Sequence, residues 1–221
     1  MRIASYIDHT LLKPTTIAAD VDKICSEARE YGFAAVCIPP CYVQRANSFL
    51  QDDPVKIATV IGFPFGYSNT ESKLKEIEKA LQQGADELDM VIQLAALKNG
   101  NWTKVEADVK ACITLIHNEQ KQMKLIVESG LLTEEELIRC CRIVEQNNID
   151  FIKTSTGYAE AGATVHAVKI MREHLPDTIR IKASGGIRNF SFAKELIVAG
   201  AARLGCSASV QIVSESDTLS N

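Results

Sequence analysis

Short apolar runs alternate with longer amphipathic segments along the whole chain. Several runs are apolar at successive positions and rich in Val, Ile and Leu, which is the pattern of parallel strands covered on both faces. The predicted strands are Ser5–His9, Ala34–Pro39, Lys56–Gly62, Glu87–Ile92, Lys124–Ser129, Phe151–Thr156, Arg180–Ser184 and Ala202–Cys206. The predicted helices are Thr15–Tyr31, Asn69–Gln83, Trp102–Gln122, Thr133–Asn147, Ala163–Leu175 and Phe190–Ala199.

Local signals support the predicted helix ends. Gly32, Gly84 and Gly200 follow three of the amphipathic segments, where a helix commonly ends in a left-handed residue. Thr133 followed by Glu136 has the spacing of a capping box. After Ser209 the remaining chain is short and becomes polar, so we expect a shortened last helix.

Eight strands alternating with helices predict an α/β fold of the (β/α)8 (TIM) barrel type, for which 221 residues is near the lower limit. The alternation also fits a doubly wound open sheet. We favour the barrel because eight units can be counted and no Gly-x-Gly-x-x-Gly motif follows the first strand. No linker or low-complexity tract interrupts the chain, so a single domain is expected over residues 1–221.

The net charge of −4 and the sequence pI of about 5.6 argue against a protein that coats nucleic acid or an anionic membrane. No apolar run approaches the roughly 18–20 residues that span a bilayer, and the N-terminus lacks a secretory signal pattern. The seven cysteines are odd in number and scattered, which favours reduced thiols. Together these features predict a cytoplasmic location.

Three charged residues lie within or near the ends of apolar strands, namely Asp89, Lys153 and Lys182. In a barrel, chemistry takes place at the carboxyl ends of the strands. The two lysines fall on consecutive strands about 4.8 Å apart, where burial and mutual repulsion would both lower a lysine pKa. A neutral lysine can attack a carbonyl carbon and form a Schiff base. The spacing does not say which lysine is the nucleophile.

The alternative for each lysine is that it reaches water or pairs with a carboxylate. Strand alternation places Asp89 on the same face as Glu87, where it could transfer protons or simply form a salt bridge with a buried lysine. Asp8 and Glu128 are further carboxylates at strand ends, and for these two a structural role is the favoured interpretation.

The loops after the last two strands are candidates for an anion site. The seventh strand runs into Gly185 and Gly186, and the eighth carries Gly205 followed by Ser207. Glycines let backbone N–H groups approach an anion closely, and this region of a barrel is a frequent phosphate site. We therefore expect a phosphate pocket in an acidic protein that has no basic patch.

Four blocks of the sequence resemble deoxyribose-phosphate aldolases. The blocks are YIDHTLLKP (Tyr6–Pro14), ELDMVI (Glu87–Ile92), FIKTSTG (Phe151–Gly157) and RIKASGGIR (Arg180–Arg188). They come in the order of that family and extend over almost the whole chain. The resemblance implies a metal-free class I aldolase barrel without an organic cofactor. It also implies the reversible cleavage of 2-deoxy-D-ribose 5-phosphate to acetaldehyde and D-glyceraldehyde 3-phosphate, in deoxyribonucleoside breakdown.

The resemblance also implies roles for individual residues. Lys153 corresponds to the Schiff-base nucleophile, Lys182 to the neighbour that lowers its pKa, Asp89 to the proton donor and acceptor, and Asp8 to a supporting residue. The residues expected to contact substrate hydroxyls and phosphate are Thr156, Gly185, Gly186, Gly205 and Ser207. A homo-oligomer, either a dimer or a tetramer, is a further expectation.

The sequence departs from relatives in the last loop, which reads Gly-Cys-Ser-Ala from Gly205 to Ala208 where Gly-Thr-Ser-Ser or Gly-Ala-Ser-Ser is common. One hydroxyl is missing, so weaker phosphate binding is expected. Three alternatives remain open: another lysine-dependent lyase, a sugar-phosphate isomerase or binding barrel, and a metal-dependent aldolase. The four histidines show no His-x-His or His-x-x-x-His spacing that would favour the third.

Overall fold

The computed structural model of the protein describes residues 2–218. Its eight strands are all parallel and close into a barrel in the order of the sequence, β1 to β8. The strands are β1 Ile7–Thr10, β2 Ala35–Ile38, β3 Lys56–Ile61, β4 Glu87–Val91, β5 Gln122–Ile126, β6 Phe151–Lys153, β7 Arg180–Ser184 and β8 Arg203–Cys206. The predicted fold class is confirmed.

Helices cover the outside of this barrel. They are α1 Ala18–Tyr31, α2 Val43–Phe49, α3 Thr70–Gln82, α4 Leu94–Lys98, α5 Trp102–Asn118, α6 Glu134–Gln146, α7 Val165–Glu173, α8 Phe190–Val198 and α9 Ser209–Thr218. The capping box at α6 is confirmed, since Thr133 and Glu136 bond each other's backbone N–H groups. Gly32, Gly84 and Gly200 all have positive φ after helices, as predicted.

The differences from the sequence prediction lie at element ends and in short helices. Residues 3–6 form a 3-10 turn rather than the start of β1, because the Ser5 hydroxyl donates to the Arg2 carbonyl and closes the turn locally. The helices α2 and α4 span only 7 and 5 residues, too few for a helical period to show. The last helix, α9, has 10 described residues and is not shorter than α7 or α8.

Apolar side chains form two separate clusters. The larger lies between the strands and the helices and includes the outward-facing Ile152, Ile181 and Leu204. The smaller is formed by β2 and β3 and consists of Ala35, Cys37, Ala58 and Val60, against which Leu12 and Phe63 pack. One side of the barrel interior is therefore apolar, and the charged side chains described below come mainly from the other strands.

No helix within residues 2–218 is both long and apolar enough to cross a membrane.

A buried ion pair joins α3 to α5 outside the barrel. Lys73 Nζ lies 2.6 Å from Asp108 Oδ2, and neither side chain is more than 1% exposed. The ammonium also donates to the Val91 carbonyl at the end of β4, and Thr70 donates its hydroxyl to Asp108. The pair thus fixes two helices to the strand that carries Asp89.

Removing one partner of this pair leaves a buried charge without compensation, which typically costs 3–5 kcal/mol. We expect Asp108→Ala to lower the free energy of unfolding by about 3 kcal/mol or more, as measured by urea denaturation. The matched control is Glu78→Ala, which breaks the exposed Lys75–Glu78 pair and should change stability by less than about 0.5 kcal/mol. Equal effects of the two substitutions would contradict the structural role of the buried pair.

Candidate active site

The two lysines predicted from the strand pattern lie side by side. Lys153 and Lys182 are direct register partners on the neighbouring strands β6 and β7. Because Ile152, Ile181 and Ala183 belong to the outer apolar cluster, strand alternation directs both lysines into the barrel interior. The expected proximity of the two amines is therefore present in the structure.

Asp89 connects the two amines from across the barrel interior. Its Oδ2 accepts a hydrogen bond from Lys153 Nζ at 2.7 Å and from Lys182 Nζ at 2.8 Å. Lys182 Nζ also lies 2.5 Å from Asp8 Oδ2, so Asp8 supports the lysine from β1. The structure thus brings together Asp8, Asp89, Lys153 and Lys182, as the sequence predicted.

A third lysine, Lys124 on β5, belongs to the same network and was missed by the sequence analysis. Its Nζ donates to Asp89 Oδ1 at 2.9 Å and also bonds Glu87. Glu87 and Asp89 both contact the ammonium of Lys124, which confirms that their side chains lie on the same face of β4. Lys124 is the first residue of a predicted apolar strand. A single charged residue at the start of a strand gives little indication that its side chain is buried.

Arg203 on β8 completes the network and was also missed. Its guanidinium lies 2.5 Å from Asp8 Oδ1 and 3.2 Å from Glu87 Oε1. The guanidinium carbon of Arg203 lies 5.6 Å from the centroid of the Phe151 ring, and that of Arg180 lies 3.9 Å from it. An aromatic face attracts cations, so Phe151 helps to hold positive charge at this end of the barrel.

Asp8 and Asp89 stay ionised despite complete burial. Burial raises the pKa of Asp8, but Lys182, Arg203 and Lys124 outweigh it and lower that pKa to about 2. Burial likewise raises the pKa of Asp89, and Lys124, Lys153 and Lys182 together hold it well below its ordinary value. These are therefore permanent negative charges at neutral pH.

The expectation of a lowered pKa is wrong for Lys182. Burial does lower the pKa of Lys182, but the charges of Asp8 and Asp89 outweigh burial and hold the pKa above its ordinary value. The sequence suggested repulsion between two amines, whereas the structure places a carboxylate oxygen between them. Lys182 is therefore a fixed cation next to Lys153.

Within the described residues, the charges of the salt-bridged network do not balance. The cations are Lys124, Lys153, Lys182 and Arg203, and the carboxylates are Asp8, Glu87 and Asp89. With every group ionised, this buried site has one positive charge in excess. Because an uncompensated charge in a low-dielectric interior is unfavourable, the network becomes neutral if one amine releases a proton.

A cavity of about 360 Å³ opens above this network at the carboxyl ends of β6, β7, β8 and β1. Lys153 lines this cavity, whereas Lys182, Lys124 and Asp89 are fully buried and do not line it. Of the three network lysines, Lys153 is thus the one that a molecule in the cavity would contact. It also has the fewest carboxylate partners, since Asp89 alone binds it.

The predicted substrate and phosphate residues surround the same cavity. Thr156, Gly185, Gly186, Gly205 and Ser207 all line it. Both Gly185 and Gly186 have positive φ, at 87° and 78°, so glycine is required for the loop conformation.

Gly205 has a second role that sequence reasoning did not find. A Cβ at this position would lie 2.8 Å from Ser184 Cβ and 3.2 Å from Lys182 Cε. The missing side chain therefore makes room for Lys182 inside the barrel.

Two exposed cations at the cavity mouth, Lys13 and Arg188, were not among the predicted site residues. Arg188 closes the RIKASGGIR block two residues after the glycine pair, and that spacing was the available signal. Lys13 lies in the YIDHTLLKP block, in the loop after β1. Both can add charge-assisted hydrogen bonds to an anion that the glycine loops bind.

Comparison with known proteins identifies the family. A family model described as DeoC/LacD family aldolase matches residues 2–209.

The chain belongs to the DeoC/LacD aldolase family.

Two curated family relatives are deoxyribose-phosphate aldolases from Thermoanaerobacter sp. strain X514 and Staphylococcus carnosus strain TM300. The first is 44% identical over 97% of both chains, and the second is 46% identical over 99% of both. A solved tetrameric deoxyribose phosphate aldolase from Aeropyrum pernix is 31% identical, with a TM-score of 0.91 over 98% of this chain and 92% of that one. The family resemblance predicted from four sequence blocks is confirmed.

The low pKa of Asp8 predicts acid sensitivity. A carboxyl group whose folded pKa is depressed adds stability above its unfolded pKa, here 3.8, and this stability is lost as the pH falls towards 2. We expect Asp8 to account for a loss of about 2 kcal/mol between pH 5 and pH 2. Urea unfolding of the wild type and Asp8→Asn across this range measures it. The variant should show a shallower pH dependence, and parallel curves would contradict the assignment.

Proposed function

We propose that this protein reversibly cleaves 2-deoxy-D-ribose 5-phosphate to acetaldehyde and D-glyceraldehyde 3-phosphate, with Lys153 as the Schiff-base nucleophile. The observation that carries the proposal is that Lys153 lines the cavity while Lys182 and Asp89, which contact Lys153 or share its carboxylate partner, do not. The names of the relatives support the substrate, and the arrangement of the amines supports the mechanism.

Lys153 is the lysine of the network with the fewest carboxylate partners. Arg203 keeps its proton, and Lys124 and Lys182 each bind more than one carboxylate. Lys153 shares one carboxylate oxygen with a fixed cation. In its free-amine form, a lysine at this position has a nitrogen lone pair that can attack a carbonyl carbon.

The first half of the reaction forms the Schiff base. Lys153 Nζ attacks C1 of the open-chain sugar, and the carbinolamine loses water to give a protonated iminium. Asp89 Oδ2, 2.7 Å from Lys153 Nζ, is placed to hold and transfer protons at that nitrogen. Lys182 sits on the same oxygen and keeps the local charge positive during these transfers.

The second half breaks the carbon–carbon bond. The electron pair of the C2–C3 bond moves into the iminium to give an enamine, while the C3 hydroxyl loses its proton and becomes the aldehyde of glyceraldehyde 3-phosphate. The enamine then takes up a proton at C2, and water releases acetaldehyde and the free amine. The iminium itself is the electron sink, so the proposed chemistry needs no cofactor.

The phosphate is proposed to bind at Gly185, Gly186, Gly205 and Ser207, with Arg188 adding a cation at the cavity mouth. Backbone N–H groups in glycine loops and a guanidinium are both strong phosphate ligands. Ala208 supplies no hydroxyl, so Arg188 and the backbone have the larger share of this interaction.

The setting of the enzyme is also part of the proposal. The proposed substrate and products fit deoxyribonucleoside catabolism, and the seven unpaired cysteines fit a reducing cytoplasm. The tetrameric relative from Aeropyrum pernix supports assembly into a homo-oligomer.

Reductive trapping tests the proposed nucleophile. Borohydride reduction in the presence of acetaldehyde should add one ethyl group to Lys153, located by peptide mass spectrometry. Lys153→Arg, which keeps a cation in the network, should lose the adduct and reduce turnover by about 10³-fold or more. An adduct mapped to Lys182 would contradict the assignment. The absence of any adduct in the wild type would favour a non-covalent sugar-phosphate isomerase or binding protein.

The charge balance predicts the effect of removing Lys182. In Lys182→Leu the network has three cations and three carboxylates, so the excess positive charge that favours release of one proton from the network is gone. We expect activity at pH 7 to fall by about 10²-fold or more, with the pH–rate profile displaced towards alkaline pH. The control Lys194→Leu removes an exposed lysine and should leave the profile unchanged. A loss of activity in Lys182→Leu without any displacement of the profile would rule out the charge argument.

A further inference from the structure

The backbone at Glu128 adopts a conformation that is unfavourable for a residue with a side chain. Of the residues described, four that are not glycine have positive φ, and Asp52, Gln120 and Asn148 are exposed. Glu128 is the exception, with φ of 55° and only 2% exposure, at the edge of the candidate active site. Such a conformation persists only where surrounding contacts impose it, and it commonly has a functional reason.

The hydrogen bonds of the Glu128 carboxylate all come from Thr156, while the Glu128 backbone carbonyl accepts from the Leu131 N–H at 2.9 Å. The backbone N–H of Thr156 donates to both carboxylate oxygens of Glu128, at 3.3 and 3.2 Å. The hydroxyl of Thr156 donates to Glu128 Oε2 as well. Glu128 therefore acts as an acceptor on both oxygens, and the single hydroxyl proton of Thr156 is committed to it.

The hydrogen bonds that Thr156 can still form follow from a count of the donor and acceptor positions of its hydroxyl. A threonine hydroxyl has one donor and two acceptor positions. The donor bonds Glu128, and one acceptor position receives the Tyr158 N–H at 3.1 Å. One acceptor position is left, on a side chain that lines the cavity of Lys153. Thr156 can thus accept a hydrogen bond from a ligand but cannot donate one.

The location of Thr156 indicates which ligand group it meets. It lies three residues after Lys153, and the next residue, Gly157, packs against Gly185 of the proposed phosphate loop. A sugar phosphate that reaches from Lys153 to this loop passes Thr156 with the part of its chain between the carbonyl carbon and the phosphate. The group there must be a hydrogen-bond donor, and a hydroxyl fits.

We propose that Glu128 is a positioning residue that fixes Thr156 as a hydrogen-bond acceptor and so selects substrates with a hydroxyl next to the reacting carbon. This inference rests on the proposed function, because it assigns Thr156 to one part of the same substrate. An aldehyde acceptor without that hydroxyl would leave the acceptor position of Thr156 without a partner in a buried site.

The experiment measures the ratio of kcat/KM for two acceptors in the addition of acetaldehyde. The acceptors are D-glyceraldehyde 3-phosphate and 3-oxopropyl phosphate, which differ by the hydroxyl in question. The wild type should prefer the hydroxylated acceptor by at least about tenfold, since a site built to bind a hydroxyl rejects an analogue that lacks it. A wild-type ratio near one would overturn the proposal.

Two amide variants of Glu128 distinguish the effect of its hydrogen bond to Thr156 from the effects of its charge and its strained backbone. Glu128→Gln keeps the length and one acceptor oxygen at the Oε2 position, so we expect it to retain the preference. Glu128→Asn suits a positive φ better, but it is one methylene shorter and ends short of Thr156. It should lose the preference, to a ratio of about one. If Asn kept the wild-type ratio, or if Gln and Asn lost it equally, the proposal would be wrong.

A second pair of variants keeps the test decisive if Glu128→Asn fails to fold. Thr156→Ser retains the hydroxyl and should retain the preference, whereas Thr156→Val removes the hydroxyl and should lose it. A preference retained in Thr156→Val would contradict the proposal. Gln120→Asn, the same amide shortening at an exposed position of positive φ, is the matched control and should leave the ratio unchanged.

Borohydride trapping with acetaldehyde distinguishes this inference from the proposed function. Acetaldehyde has no hydroxyl, so its Lys153 adduct in the wild type tests the Schiff-base function and not the role of Glu128. An adduct together with unaltered acceptor ratios would refute the role of Glu128 alone. No adduct in the wild type would refute the Schiff-base function.

Discussion

The carboxylate of Asp89, shared by three lysines inside a closed barrel, is the interaction on which the rest of the site depends. An isolated ammonium in this interior would be strongly destabilised, and three of them could not coexist without carboxylates in contact. Asp89 makes Lys153, Lys182 and Lys124 compatible with burial. Asp89 is on β4, two strands from β6 and three from β7, so the curvature of the closed barrel brings these groups together.

The three lysines of the network have different roles because their surroundings differ. Lys182 and Lys124 are held by several carboxylates and act as fixed charges, whereas Lys153 has one partner and faces the cavity. The apolar cluster of Ala35, Cys37, Ala58 and Val60 limits the access of water from the opposite side. In the low-dielectric interior that results, the excess positive charge of the network has a high energetic cost, whereas the same charge in water would be screened.

In the loops above the network, hydrogen bonds give side chains defined positions, as ion pairs do within the network. A strained backbone at Glu128 directs a carboxylate to Thr156, and Thr156 in turn holds the backbone of Tyr158. The Tyr158 hydroxyl donates to the Leu12 carbonyl, which joins the loop after β6 to the loop after β1 across the cavity mouth. Glu128 does not line the cavity, so in its proposed role it affects ligand recognition only through Thr156.

The sequence by itself determined the barrel, most strand positions and the pairing of Lys153 with Lys182, because these follow from local periodicity and from the order of the units. It also placed the glycines that the loops after β7 and β8 require. The sequence did not reveal Lys124 and Arg203 as site residues. The direction that it predicted for the pKa shift of a buried lysine was wrong for Lys182. Only the tertiary structure decided these points, because the energy of a buried charge depends on distances to partners that closure of the barrel brings from strands far apart in the chain.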